Sequence, residues 1–136
     1  MDISKLSKSE QTYNLLKKGL DASALRSKVS ANNIANINTK GYKRFNVSFE
    51  EYLQDSTENL NLKTTNNKHI PGESDEYGTI KVQQDTSTSM RADGNNVDID
   101  NEMTNQAANA MMYNALISQV NSRLSMERYV ISEGRR

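Results

Sequence analysis

The sequence contains no cysteine and no tryptophan, and it has a single proline in 136 residues. Without cysteine the chain can form neither a disulfide nor a thiolate metal site. No apolar run reaches the ~18 residues that a helix needs to span a bilayer. Hydrophobic residues make up only 35% of the chain and the mean hydropathy is −0.82, which is low for a compact domain of 15.3 kDa. These absences predict long helices around a thin core, in a chain of at most one domain.

Signals for catalysis are also missing. The only histidine, His69, lies in a polar segment and is expected to be a surface residue. There is no G-x-S-x-G turn and no glycine-rich phosphate loop. The acidic run from Asp93 to Glu102 fails the EF-hand spacing, because Val97 stands where the fifth-position oxygen ligand is needed. We therefore expect no enzyme, no cofactor and no metal site.

The charges sum to zero but are unevenly distributed. Residues 1–45 carry nine Lys/Arg and three Asp/Glu, residues 46–102 carry four and twelve, and residues 103–136 carry four and two. The basic and aromatic residues of 40–45 are too few for nucleic-acid binding, which needs a broad basic surface. Two interpretations stay open: the charge blocks attract neighbouring copies of the chain, or they are solvated faces.

The N-terminal region predicts a long helix that ends in a defined turn. A capping box at Ser7 and Glu10 marks its start, and the Asn-rich stretch from Asn36 to Asn38 marks its end. Gly41 then supplies the left-handed turn. Tyr42 is expected to pack back on the helix, with the neighbouring cations hydrated. The apolar positions at helical spacing are Tyr13, Leu16, Leu20, Ala24, Ala31 and Ile34.

The middle of the chain gives weaker signals. Alternation of Phe45, Val47 and Phe49 favours a short strand, while Ser48 to Leu53 fits a short helix equally well, and the pattern does not separate the two. Residues 54–92 are rich in Asn, Thr, Ser and Asp and predict a segment that is flexible or ordered by a partner. Within it, residues 77–82 are the one predicted strand.

The C-terminal region predicts a second long helix. Asp98 and Asp100 stand where an N-cap and the positive end of a helix dipole favour carboxylates, and Glu133 and Gly134 are expected to end the helix. A heptad pattern runs between them and predicts a seam against the first helix and other subunits. Its positions are Met103, Gln106, Ala110, Tyr113, Ile117, Val120, Leu124, Glu127 and Ile131.

One motif carries a family resemblance. The run Asn-Asn-x-Ala-Asn at 32–36, followed by Thr-x-Gly-Tyr at 39–42 and preceded by Leu-Asp-Ala at 20–22, resembles the N-terminal signature of the bacterial flagellar rod and hook proteins. The chain length and the C-terminal helix narrow the resemblance to the proximal rod. The chain departs at Lys40, where the family often has proline.

The resemblance implies a structural subunit of the flagellar basal body. In that family, the terminal helices form the inner core of a tubular assembly that transmits torque and encloses the export channel. Implied partners are the subunit itself, other rod subunits, the adapter that joins the rod to the membrane ring, and the flagellar export apparatus. Export across the inner membrane would then use no cleaved signal peptide.

These observations define the expected organisation. The fold class is mainly α, a helical hairpin or coiled coil with a small irregular or β-containing middle. Residues 1–45 and 98–136 together form one α-domain, and residues 46–97 form a variable segment. An alternative function is a free-standing coiled-coil adapter or regulator that dimerises through its C-terminal heptads. The residues expected to mediate assembly are Leu16, Leu20, Asn32, Asn33, Ile34, Asn36, Thr39, Gly41, Tyr42, Tyr113, Ile117, Val120 and Leu124.

Overall fold

Two long antiparallel helices dominate the computed structural model, which describes residues 8–49, 79–87 and 92–132. The elements in chain order are α1 (Lys8–Ala35), β1 (Phe45–Ser48), β2 (Lys81–Gln84) and α2 (Ile99–Ile131). The helices pack along each other, and the small sheet lies against α1 at the end where α1 stops and α2 begins. This arrangement confirms the predicted helical hairpin with a small β-containing insertion.

Helix α1 ends as the sequence predicts. The Asn36 N–H bonds to the carbonyls of both Asn32 and Asn33 at 3.2 Å, which tightens the last turn. The chain then reverses through Gly41, whose φ of 73° lies in the left-handed region that glycine adopts without strain. The capping residue predicted for the start of this helix, Ser7, lies outside the described residues.

Helix α2 begins at its predicted cap. The Asp98 carboxylate accepts a hydrogen bond from the Asp100 N–H at 3.0 Å, and its carbonyl accepts from the Glu102 N–H at 3.0 Å. The helix ends at Ile131, with Ser132 as its C-cap. The residues predicted to end it, Glu133 and Gly134, lie outside the described part of the chain.

The two strands form an antiparallel pair in which Val47 lies opposite Val82. This pairing confirms the predicted short strand, at residues 45–48. Most of the alternative helix, from Ser48 to Leu53, falls outside the described residues. The predicted second strand was placed too early: it spans Lys81–Gln84, since pairing with β1 sets its register. The predicted turn at residues 70–72, the loop position of His69 and most of the predicted flexible segment lie outside the described ranges.

The core is small and largely polar. Among the described residues, the buried hydrophobic side chains are Ala22, Phe49 and Val97. The buried polar side chains are more numerous: Ser23, Asn33, Asn95 and Glu102. Nor does either described helix combine the length and apolar character that crossing a membrane requires. The fold therefore depends less on hydrophobic packing than on hydrogen bonds between its elements.

Candidate assembly site

The contact between the two helices is lined with polar side chains. The Ser23 hydroxyl donates to Asn109 Oδ1 at 2.8 Å, and Asn109 Nδ2 donates back to the Ser23 carbonyl at 2.8 Å. One turn further along α1, Gln106 Nε2 donates to the Ser27 hydroxyl at 2.8 Å. Each pair joins residues more than 75 positions apart in sequence, so these hydrogen bonds fix how the helices align along each other.

Glu102 completes this polar seam at the closed end of the hairpin. Its side chain is 3% exposed. One carboxylate oxygen accepts from the Ser30 hydroxyl at 2.6 Å, and the other accepts from Asn33 Nδ2 at 3.3 Å. The Arg44 guanidinium lies 3.8 Å from the second oxygen and supplies the opposite charge. A buried carboxylate is tolerated here because both of its oxygens have partners.

The observed seam differs from the predicted heptad. The α2 residues that contact α1 include Glu102, Asn109, Leu116 and Arg123, which are seven apart and one position earlier than the predicted series of 103, 110, 117, 124 and 131. Met103 is 60% exposed and Ile131 is 81% exposed, so these two positions are not covered by α1, and Ala110 and Glu127 are exposed as well, whereas the predicted position Gln106 does contact α1 through Ser27.

The physical reason for the shift lies on α1. Ser23 and Ser30 of α1 need polar partners, which Asn109 and Glu102 of the earlier series supply. Gly19 has no side chain, so the Leu116 methyl approaches to 3.4 Å from the position that a Cβ at residue 19 would occupy. A hydrophobic pattern on α2 alone cannot reveal either preference, because both depend on the facing helix.

Asn95 links the start of α2 to the end of α1. Its side chain is fully buried, and Nδ2 donates to the carbonyls of Asn36, Ile37 and Thr39 at 2.9–3.0 Å. Its Oδ1 accepts from the Val97 N–H at 2.8 Å. The last carbonyls of a helix and its turn have no partner within the helix. A residue 56 to 59 positions further along the chain therefore caps α1.

Asn33 makes a second such link, between α1 and β1. Its Nδ2 donates to the Phe45 carbonyl at 2.8 Å, and its Oδ1 accepts from the Phe45 N–H at 3.0 Å and from the Tyr42 hydroxyl at 3.1 Å. Together with the bond to Glu102, every donor and acceptor of this amide is used. Burial, followed by the negative charge of Glu102, raises the pKa of Tyr42 above its usual 10.0.

Asn96 makes a third link, between the lead-in to α2 and the sheet. Its Oδ1 accepts from the Arg44 N–H at 2.7 Å, and its Nδ2 donates to the Asp85 carbonyl at 2.9 Å. The Arg44 side chain also pairs with Asp85 at 3.0 Å, so the expectation that this cation stays hydrated was wrong. Hydrogen bonds from Ser87, and then the Arg44 charge, hold the pKa of Asp85 below its usual 3.8.

These three asparagines form what we call the asparagine junction: Asn33, Asn95 and Asn96. Sequence reasoning found the first of them only as part of a motif and treated the other two as turn residues. It also missed Glu102, Ser23 and Asn109. The available signal was their residue type, since an amide or carboxylate at a heptad position facing another helix needs a partner when it is buried.

The residues predicted for assembly fall into two groups. The apolar ones on the helices are half-buried, apart from Tyr113, which is 38% exposed. In the motif, Asn33 is buried, Asn36 and Tyr42 are half-buried, and Asn32, Thr39 and Gly41 are exposed. The structure thus brings the motif together at the closed end of the hairpin.

Large apolar side chains cover the outside of α2. On the part of the chain that the structure describes, most of the large hydrophobic residues that are exposed belong to this helix. They lie near its start, at residues 111–113 and in its last two turns, and they include three methionines that are more than half exposed. We call them the outer face of α2: Ile99, Met103, Met111, Met112, Tyr113, Met126, Tyr129, Val130 and Ile131.

Comparisons with known proteins assign the family. The sequence model described as flagella basal body rod protein matches residues 16–43, which span most of α1 and the motif turn. The flagellar basal body rod protein FlgB of Bacillus subtilis (strain 168) is 34% identical over 124 residues, which cover 91% of this chain and 95% of that protein. FlgB of Borreliella burgdorferi is 35% identical over 115 residues, covering 79% and 85%. FlgB of Escherichia coli (strain K12) is 29% identical over 136 residues, covering 95% and 99%. The chain therefore belongs to the FlgB family of flagellar basal body rod proteins and is a structural subunit of the flagellar rod, not an enzyme.

Proposed function

We propose that the subunit joins its neighbours in the rod through the outer face of α2. The observation that carries this proposal is the contrast between that face and the core: Met111 is 69% exposed and Tyr129 is 67% exposed, whereas the buried hydrophobic residues of the described chain are few. Large apolar side chains left in water on one helix are typical of an interaction site. Contact with sister subunits or other rod subunits would remove this surface from water.

The proposal assigns separate roles to the parts of the chain. Residues 1–45 and 98–136 act as one assembly domain, built on the hairpin of α1 and α2. Residues 46–97 act as a variable segment that leaves from and returns to the asparagine junction. A hairpin with so little buried apolar surface gains further stability on docking, and this suits a subunit that passes through a narrow export channel before it assembles.

The predicted assembly residues take two roles in this proposal. Those that are half-buried or buried hold the hairpin in shape, and those that are exposed, at the turn or on α2, contact a neighbour. The first role falls to Leu16, Leu20, Ile34, Asn36, Tyr42, Ile117, Val120 and Leu124, together with the buried Asn33. The second falls to Asn32, Thr39, Gly41 and Tyr113.

The polar seam supports a mechanical role. A hydrophobic helix contact can slide, but the hydrogen bonds of Ser23 with Asn109 and of Ser30 with Glu102 hold one alignment. A subunit whose helices keep a fixed alignment transmits torque without internal slip. In this proposal the assembled helices enclose the export channel, and the subunit contacts the ring adapter and the export apparatus during assembly.

Substitution on the outer face tests the proposal. Met111→Glu places a charge on a side chain that is 69% exposed. We therefore expect unchanged helix content in the purified chain, because the new carboxylate stays in water. In cells that lack their own copy, we expect the variant to be missing from isolated basal bodies and the cells to be non-motile. The matched control is Met111→Leu, which keeps the apolar surface and should assemble normally. Normal swimming of cells carrying Met111→Glu would refute the assignment of this face.

A further inference from the structure

We propose that three methionines on the outer face of α2, Met103, Met111 and Met126, are sites where peroxide oxidation blocks the entry of a free subunit into the rod. The proposal rests on the assembly role of that face. It adds a chemical modification and an order of reactivity, which neither the fold nor the family assigns.

Exposure makes these side chains accessible to an oxidant. Met111 is 69% exposed, Met126 is 62% exposed and Met103 is 60% exposed. Oxidation of methionine proceeds at the sulfur, so its rate follows how freely the oxidant reaches that atom. In the free subunit all three side chains are therefore open to solvent over most of their surface.

The reaction needs only hydrogen peroxide. A lone pair of the thioether sulfur attacks one peroxide oxygen, an S–O bond forms and the O–O bond breaks. The departing hydroxide takes the proton of the oxygen that was transferred to sulfur, and it leaves as water. The methionine loses two electrons to become the sulfoxide, and the peroxide gains them. No metal or further reductant enters the balance.

The product changes the face in the direction that opposes docking. A sulfoxide is polar and accepts hydrogen bonds strongly, whereas the thioether is apolar and flexible. Docking would bury the sulfoxide oxygen against the apolar surface of a neighbour. Burial of a polar group without a partner disfavours association. Oxidation before assembly should therefore lower incorporation, while the hairpin itself keeps its structure because these side chains lie outside its core.

Met112 provides an internal control beside Met111. It is 42% exposed, and its sulfur lies 3.9 Å from the Arg26 guanidinium, which donates to it. A sulfur lone pair that accepts a hydrogen bond is less available to attack peroxide. We expect Met112 to oxidise several-fold more slowly than its neighbour.

The first experiment measures the order of reactivity. The purified full chain is treated with dilute hydrogen peroxide, and fragment ions of its peptides assign sulfoxide to each methionine over time. We expect Met103, Met111 and Met126 to react first and Met112 to lag, with Arg26→Gln removing the lag. Equal rates at Met111 and Met112 in the unaltered chain would overturn the order.

The second experiment measures assembly. Cells lacking their own copy produce the unaltered chain, or a variant with leucine at residues 103, 111 and 126, during growth in sublethal peroxide. We expect the unaltered chain to be depleted from isolated basal bodies and the leucine variant to be retained. A Met111→Gln variant, which adds polarity without peroxide, should be depleted as well. Equal depletion of the unaltered chain and the leucine variant, or full incorporation of Met111→Gln, would overturn the redox role.

These outcomes separate the two proposals. If Met111→Glu assembles normally without peroxide, the docking role of the outer face fails, and the redox role fails with it. If Met111→Glu is excluded but the leucine variant gives no protection in peroxide, only the redox role fails.

Discussion

The asparagine junction and the outer face of α2 differ in which kinds of side chain they bury and which they expose to water. At the junction and the adjoining polar seam the chain buries amides and a carboxylate: Asn95 is 0% exposed and Glu102 is 3% exposed. Along the outer face it leaves methionine, tyrosine and valine in water, with Val130 at 74% exposure. In most soluble domains the buried groups are apolar and the exposed groups are polar.

This difference separates two tasks. The junction's polar groups satisfy one another within a single chain, so the end of α1, the start of α2 and the sheet are ordered without a neighbour. The outer face remains largely exposed within the described residues, and covering it by another molecule would remove its apolar surface from water. Hydrogen bonds within the chain thus specify the structure of the subunit, and its exposed apolar side chains suit it to assembly.

The largest effect is expected from Asn95→Ala. The substitution removes the donor shared by three carbonyls at the end of α1 and the acceptor of the Val97 N–H. Because each unpaired buried group costs about 1–3 kcal/mol, we expect the free energy of unfolding to fall by about 2–4 kcal/mol. Urea unfolding followed by circular dichroism measures it. The control is Asn101→Ala, an exposed asparagine of the first turn of α2; if both variants lose the same stability, the junction has no special role.

Glu102→Ala tests whether the buried carboxylate has the same importance. It would leave the Ser30 hydroxyl and Asn33 Nδ2 short of an acceptor and Arg44 without one of its charge partners. We expect a loss of about 2–3 kcal/mol in the same unfolding measurement. The matched control is Glu127→Ala on the same helix. Its side chain is 51% exposed and pairs with Arg123, so a loss below about 0.5 kcal/mol is expected. Equal losses would mean that burial does not distinguish the two glutamates.

A smaller effect is expected at the turn, where backbone conformation rather than burial decides. Gly41→Val forces a β-branched residue to a φ of 73°, although a Cβ there would meet no atom within 4 Å. The strain of the left-handed conformation predicts a loss of about 1–2 kcal/mol in urea unfolding. Gly41→Asn should lose less, because asparagine tolerates this conformation. Equal stability of the valine variant and the unaltered chain would show that the turn does not need glycine.

The sequence predicted the local structure well. Apolar spacing in residues 13–34 and the absence of proline predicted α1, and Asp98 predicted the start of α2 to the residue. The Asn-Asn-x-Ala-Asn motif predicted the rod family, and the relatives confirm it; the alternative of a free-standing adapter is accordingly not favoured. These features depend on capping, helix propensity and backbone conformation, which act within a few residues of each other.

Contacts between distant segments were predicted less well. The predicted heptad positions 103, 110, 117 and 124 lie one residue after those that contact α1, although Gln106 was placed correctly. Met103 is more apolar than Glu102, and Ile117 is about as apolar as Leu116, so the pattern of α2 alone favoured the later series. The choice depended on what α1 presents, namely Gly19 and a row of serines. Asn95 and Asn96 carried turn chemistry in the sequence, and nothing local indicated that their amides would reach the end of α1 and the sheet.

The sequence by itself determined where α1 ends and α2 begins, where the chain reverses at Gly41, and to which family it belongs, because each of these follows from neighbouring residues. Only the tertiary structure decided which face of α2 turns toward α1, since a buried polar group takes the alignment that satisfies its hydrogen bonds. That choice also decided which methionines remain on the outside.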